Sequence, residues 1–322
     1  MRLASIWNGD EDLPLNSLSE HTIFTPKPQN CYNTTAMGLK KTPYFSIVIP
    51  ALNEERYLPH LLRDLTKQTF RDYEILVADG GSTDKTRQVA QRFKKVKVLT
   101  SPQANVAKQR NLGGKKAQGK YILFIDADTR LPVYFLEGIK YRLSTTEADV
   151  FTTWMSQKDV AGPNKVVIAF MNFVTQSSHF LESPSAYGAF LGCRRRVFDQ
   201  TRSFDPEITF AEDTEFVKRL VKQGYRFRLF KDPRFKFSLR RFETEGTLPM
   251  IRKYAKLNLE WLTKGFSRKS QKDYPMVGGT YYATERKQYP QFFLRFDRVI
   301  QRLKRLRNKK TLQKFVENFF LE

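Results

Sequence analysis

Two aspartates one residue apart, Asp126 and Asp128, close a short apolar run, YILFID, that ends at Asp126. Off an extended strand the first and third side chains of a triplet face the same way, so both carboxylates are expected to reach one ligand. Oxygen-only donors suit a hard cation such as Mg2+ or Mn2+, which takes one or two carboxylates and completes its shell with phosphate oxygens and water. Taken alone, the triplet equally fits a capped turn ahead of Pro132. Asn53 and Asp79 stand at or just past the ends of two earlier apolar runs, FSIVIP and YEILVAD. A second acidic pair, Glu212-Asp213, opens a helical pattern in which Phe216, Leu220 and Val221 share a face. A carboxylate there can take a proton from a nucleophile or complement the helix dipole.

Such groups act together only if the chain gathers them. Phe45 to Pro50, Tyr73 to Asp79, Lys95 to Leu99 and Tyr121 to Asp126 are short apolar runs, and between the first two Leu58, Leu61, Leu62 and Leu65 recur at helical spacing. Short strands alternating with amphipathic helices predict an α/β fold with a mostly parallel sheet covered on both faces. Open sheets of this kind bind ligands outside the carboxyl ends of their strands, where Asn53, Asp79 and Asp126 fall. Further on, Val150 to Met155 is expected to form a strand, Val166 to Phe180 a helix and Ala186 to Cys193 a strand. Tyr225 to Phe230 and Phe235 to Leu239 are expected to form two more strands.

Composition sets the outer limits. The 322 residues include 56 Lys or Arg and 33 Asp or Glu, a formal charge of +23, with 40% hydrophobic residues, enough for a packed core. Cys31 and Cys193 are too few for a disulfide framework or a thiolate metal cluster, and a reducing compartment fits. The first residues, MRLASIWNGDEDLPL, lack the apolar run of a signal peptide, and no stretch reaches the length of a membrane span. A cytoplasmic protein is expected, with contact to the inner face of the plasma membrane left open. Residues 1–43 carry four basic and four acidic side chains and no sustained period, which predicts an irregular arm. Residues 246–322 hold 18 basic and 6 acidic side chains, so +12 of the total lies there.

Four motifs in order, Ile49-Pro50-Ala51-Leu52-Asn53-Glu54-Glu55, Asp79-Gly80-Gly81-Ser82-Thr83-Asp84, Asp126-Ala127-Asp128 and Glu212-Asp213, give the chain from Phe45 to Gly246 a pattern that resembles the family 2 glycosyltransferases, within them a branch of small, single-domain bacterial or archaeal enzymes. The resemblance implies the GT-A fold, a Rossmann-like nucleotide-binding sheet joined to an acceptor-binding half over residues 44–245. It also implies metal-assisted transfer of a sugar from a nucleotide diphosphate donor, with inversion at the anomeric carbon. On matched positions, Pro50, Asn53, Glu54 and Asp79 are expected to line the base and ribose pocket. Asp126 is expected near the ribose or the metal's hydration shell, and Asp128 on the metal that bridges the phosphates. Asp213 is expected to be the base, and Arg110 with Asn111 to lie near the nucleotide. The Gln-x-x-Arg-Trp signature of processive synthases is absent, so transfer of one or a few sugars is expected. Ala211 stands where many relatives carry Thr.

Basic residues extend the reading. One guanidinium of Arg194-Arg195-Arg196, with Arg194 the candidate, is placed to clamp the diphosphate. Arg240-Arg241 suits either an anionic acceptor or the surface. From Phe292, apolar Phe293, Phe296, Ile300 and Leu303 among arginines and lysines predict an amphipathic helix. It would lie on an anionic membrane or dock on the catalytic domain. The first option implies a lipid-linked or cell-envelope glycan as acceptor. Two other classes fit parts of the chain: a basic nucleic-acid-binding protein and a sugar nucleotidyltransferase. The acidic rim disfavours nucleic acid, and the segment Pro50 to Glu55 stands where a nucleotidyltransferase needs a Gly-rich, Lys-containing loop.

Overall fold

The computed structural model describes residues 42–160, 162–180, 184–208, 210–247, 249–254 and 278–280. The arm expected over residues 1–43 falls outside them but for Thr42 and Pro43, and so does the helix expected from Phe292. Among the described residues, β1 (Phe45–Ala51), α1 (Leu58–Thr66), β2 (Tyr73–Asp79), α2 (Thr86–Gln91), β3 (Val96–Thr100), α3 (Val106–Lys116) and β4 (Tyr121–Ile125) form the first half. The second half comprises α4 (Phe135–Thr145), β5 (Val150–Met155), α5 (Gly162–Phe180), β6 (Phe190–Arg194), α6 (Arg195–Gln200), α7 (Glu212–Lys222), β7 (Phe227–Phe235) and α8 (Arg240–Glu245).

Alternate residues of the central strands enter opposite layers. Ile47, Ile49, Leu123 and Ile125 join one apolar cluster, while Val48, Ile122 and Phe124 join the other. This is why β1 and β4 read as unbroken apolar runs: a strand covered on both faces has no polar side. Helix α1 carries Leu58, Leu61, Leu62 and Leu65 on its buried face, with Pro59 in its first turn, where a missing N–H costs nothing. Helix α3 lies so close to β1 that a Cβ on Gly113 would come within 2.3 Å of Val48 Cγ1. Phe124 is fully buried against Phe198 and Phe204, and Phe124→Ala would cost about 3–5 kcal/mol.

The sheet order is β3-β2-β1-β4-β6-β5-β7. The chain leaves β1 toward β2 and β3 on one side and returns to β4 on the other, so the switch point lies between β1 and β4. Their pairing ends at Val48 opposite Phe124, while β1 stays paired with β2 as far as Ala51 opposite Asp79. Pro50, which has no N–H to give, sits past the last β4 partner, where the two strands part and a crevice opens. Strand β6 runs antiparallel to both neighbours, β4 and β5. The two strands expected over 225–239 are one, β7, with a register shift against β5, and Lys236 beyond it bridges Arg130.

Candidate active site

The loop after β1 is held by the loop after β2. Asn53 adopts a left-handed backbone (φ 54), which Asn tolerates better than most residues. Its N–H donates to Ser82 Oγ (2.9 Å), and its Oδ1 accepts from Thr83 N–H (2.8 Å). Glu54 N–H donates to Thr86 Oγ1 (2.7 Å) and Glu55 N–H to Asp84 (3.0 Å). Asp79 is fully buried at the tip of β2: its Oδ2 accepts from Gly81 and Ser82 N–H, while its Oδ1 has no protein partner. An orphaned carboxylate oxygen in such a place is costly unless a ligand N–H reaches it. Gln109, from α3, ties the two strand tips together below.

Strand β4 ends at Ile125, and Asp126 to Thr129 close a turn, Thr129 N–H donating to Asp126 C=O (3.0 Å). The expectation that Asp126 and Asp128 project alike from an extended strand is therefore corrected: a turn has no such alternation, and each carboxylate meets a different guanidinium. Asp126 Oδ1 accepts from Arg110 Nη2 (3.0 Å), and Asp128 Oδ2 lies 3.0 Å from Arg240 Nε. Arg240 also grips Glu54 with both terminal nitrogens, at 2.5 and 2.9 Å, and stacks over the Tyr57 ring. Burial raises the Asp128 carboxyl above its ordinary range against the pull of Arg240. Burial likewise lifts Glu54 to about 7, with Arg240 opposing and Asp128 and Asp126 adding to the rise. Arg240 thus lies between Glu54 and Asp128, while Asp126 is held by Arg110. One or two carboxylates suffice for a hard cation that completes its shell with phosphate oxygens and water, and Asp128 and Asp126 would hold it.

The third part is built around Arg110. Its buried guanidinium donates to Glu212 (2.6 Å) and Asp126, and to Gly188 C=O (3.3 Å). Glu212 and Asp213 start α7, whose N-cap, Ala211, is left-handed (φ 60) with no side-chain cap. Strain of that kind in a residue with a Cβ concentrates at functional sites. Asp213 is buried, its Oδ1 accepts from Thr214 N–H (2.6 Å), and its Oδ2 would lie 3.1 Å from a Cβ on Gly188. Burial first, then the Glu212 carboxylate, lift its pKa to about 7, against Arg110. Partly buried Tyr187 is pushed above the usual phenol range by desolvation and by the Asp213 charge.

Of the expected site residues, Asn53, Glu54, Asp79, Asp126, Asp128 and Asp213 lie on the carboxyl-end side of the parallel strands. Pro50 is buried within β1 opposite Ala78. Arg110 reaches the rim from below, as a partner of Asp126 and Glu212. Asn111 pairs with both the C=O and the N–H of Phe204 (2.8 and 3.0 Å), a structural bond and not one to a ligand. Arg194 is the clear correction. Because β6 is antiparallel, Arg194 lies opposite Tyr121, at the far end of β4, roughly 13 Å of strand rise from Ile125. There it bonds Ala148 C=O and Asp149, so it does not clamp a diphosphate at the rim.

Sequence reading missed two features. Arg240 gave only an ambiguous signal, an arginine pair after the last strand, and its partner Glu54 is 186 positions away. The turn Gly278–Thr280 lies on the β1 loop, Gly279 N–H donating to Leu52 C=O (2.8 Å). A Cβ on Gly279 would fall 1.8 Å from Asn53 O.

The mostly parallel sheet, covered on both faces and with its switch point between β1 and β4, places the chain in the α/β, GT-A fold class. Residues 46–202 match the Glycosyl transferase family 2 model, and this part of the chain is a family 2 glycosyltransferase domain. It is 36% identical over 91 residues to the poly(ribitol-phosphate) beta-N-acetylglucosaminyltransferase TarS of Staphylococcus aureus (strain Mu50 / ATCC 700699), over 26% of this chain and 16% of TarS. It is 24% identical over 204 residues to the glycosyltransferase EpsJ of Bacillus subtilis (strain 168), over 59% of each. The chain thus covers less than two thirds of the length of either relative. Among solved structures, the mannosyltransferase PcManGT from Pyrobaculum calidifontis in complex with GDP-Man and Mn2+ shares the fold, with a TM-score of 0.56 at 17% identity over 76% of this chain and 69% of that one.

Proposed function

We propose that the chain transfers a sugar from a nucleoside diphosphate sugar to an acceptor hydroxyl, with residues 44–245 as the catalytic domain and with inversion at the anomeric carbon. The reading rests on one observation: Asp79, Asp126, Asp128 and Asp213, drawn from distant parts of the chain, stand on one side of the sheet around its switch point. Asp79 Oδ1, lacking a protein donor, would accept from the N–H of a base such as uracil or guanine. Asn53 and Glu54 border the same pocket, in a loop already fixed by Ser82, Thr83 and Thr86.

Asp126 and Asp128 would hold Mg2+ or Mn2+, which when bound stabilises the negative charge that develops on the departing diphosphate. Asp213 takes the proton of the acceptor hydroxyl. Its pKa of about 7 suits a base that works at neutral pH, since the best proton acceptor titrates near the working pH. Arg110 holds Asp126 and Glu212 from behind, which sets the acidic turn and the start of α7 at a constant separation.

The relative TarS transfers, by its name, N-acetylglucosamine to poly(ribitol-phosphate). UDP-GlcNAc is therefore the first donor to try, and a polyanionic or lipid-linked cell-envelope glycan the first acceptor class. The deciding experiment is a panel of nucleotide sugars scored for nucleoside diphosphate release with Mg2+, with Mn2+ and with a chelator. Release from one donor, lost on chelation, supports the reading; no release from any donor with either metal rejects it.

A further inference from the structure

We propose that Arg240 is a resident counter-cation that keeps the metal position closed until a diphosphate arrives, so that donor and metal enter as a pair. The proposal deepens the transferase reading above and rests on it.

The geometry leaves little choice about charge. Arg240 is nine-tenths enclosed, with 12% of its side chain exposed, and it bridges two carboxylates from opposite sides of the crevice: Glu54 after β1 and Asp128 after β4. Asp126, next in the turn, is taken by Arg110. Both acidic groups of the turn therefore have a guanidinium partner. A divalent ion on Asp128 Oδ2 would sit about 2.1 Å from that oxygen. The Arg240 nitrogen is 3.0 Å from the same atom, which places the two cations within about 5 Å of each other. Like charges that close, in a partly dry site, repel strongly, so the ion is weakly held while Arg240 stays in place.

A diphosphate changes the balance. Its oxygens complete the metal's shell and supply further negative charge, enough for both cations. Arg240 then releases Asp128 and turns to the phosphate, keeping Glu54 as its anchor through the two nitrogens that already grip it. Tyr57 offers its ring face as a track for that small movement, since the guanidinium stacks on it (4.8 Å to the centroid). By linkage, what the diphosphate does for the metal the metal does equally for the diphosphate. The arrangement would keep the crevice from holding metal alone.

The test is Mn2+ binding to the full chain, followed through the free-ion electron paramagnetic resonance signal, without nucleotide and with saturating UDP or GDP. Wild type is expected to bind Mn2+ at least tenfold more tightly with the better nucleotide than without it. Arg240→Gln is expected to raise nucleotide-free Mn2+ affinity at least tenfold and to shrink that ratio; Arg240→Lys, which keeps the charge, should stay near wild type. Unchanged or weaker nucleotide-free binding in a folded Arg240→Gln protein overturns the proposal, and so does an Arg240→Lys protein that binds like the neutral variant. Should the neutral variant not fold, wild type alone decides: equal Mn2+ affinity with and without nucleotide overturns the gate. Nucleoside diphosphate release that persists alongside that result leaves the transferase reading standing, so the two failures are distinct.

Discussion

Gly188 and Arg110 occupy one another's space: a Cβ on Gly188 would fall 2.2 Å from Arg110 Nη2. The same guanidinium bonds Asp126 and Glu212, so the absence of a side chain at the entrance to β6 is a condition for the ion-pair network that joins the acidic turn to α7. Gly188→Ala must displace Arg110 or the loop. It is expected to destabilise the fold by about 1–3 kcal/mol, the usual range for overpacking, and to lower kcat at least tenfold. Denaturant unfolding and steady-state assays check both; a variant with wild-type stability and turnover would remove Arg110 from the argument.

Asp213→Asn keeps the shape of the base and removes its proton affinity. Turnover should fall by about 10²- to 10⁴-fold, the typical contribution of a positioned base. Binding of nucleoside diphosphate, measured by calorimetry, should hardly move, because the role proposed for Asp213 is toward the acceptor. An equal loss in both would make it a donor ligand.

The pH profile follows from the same residue. Burial and the adjacent Glu212 raise Asp213 to about 7, and only the ionised form accepts a proton. The acid limb of kcat/KM should therefore rise about tenfold per pH unit up to neutrality and flatten above it. Glu212→Gln removes the negative neighbour, so it should move that limb to lower pH. A profile flat from pH 5 to 8 in wild type would exclude Asp213 as the base.

Gln109 is buried and its Nε2 donates both to Ala51 C=O (2.7 Å) and to Ala78 C=O (2.8 Å), joining the tips of β1 and β2 beneath the donor loops. Gln109→Leu removes both bonds and should cost about 1–3 kcal/mol. The donor KM is expected to rise more than kcat falls, since the loops that slacken carry Asn53 and Asp79. Thermal unfolding with and without UDP reads the first effect, and initial rates read the second.

Much of this arrangement was legible in the sequence, and the misses share a cause. Apolar runs located β1, β2 and β4, because a strand buried on both faces must be largely apolar, while β3, partly exposed and carrying Lys97, was legible only from the alternation of strands and helices; leucine spacing located α1; and the acidic pair at 212–213 located the start of α7. Strand direction is another matter. Nothing in Phe190 to Arg194 tells an antiparallel strand from a parallel one, since burial pattern is the same in both senses, and Arg194 was therefore assigned to the wrong end of the sheet. The apolar run points to a strand through Asp126, but β4 ends at Ile125, so neither Asp126 nor Asp128 projects from extended backbone. Arg240 pairs with Glu54 across most of the domain, a distance at which charge type alone carries no partner information. Asn111 was read through its neighbour Arg110, although a side-chain amide is equally suited to holding backbone, as it does with Phe204.

The reversed course of β6 has a further meaning for how such a protein can change. Because that strand starts at the rim and ends at the opposite edge, the turn at Gly188 and Ala189 that leads into it lies beside Arg110 and Asp213, while the strands that carry Asn53 and Asp79 lie on the other side of β4. Under the proposed roles, substitutions at this turn would alter what approaches Asp213 and leave Asn53 and Asp79 in place. Acceptor preference would then drift at one seam of the sheet with the donor pocket inherited unaltered.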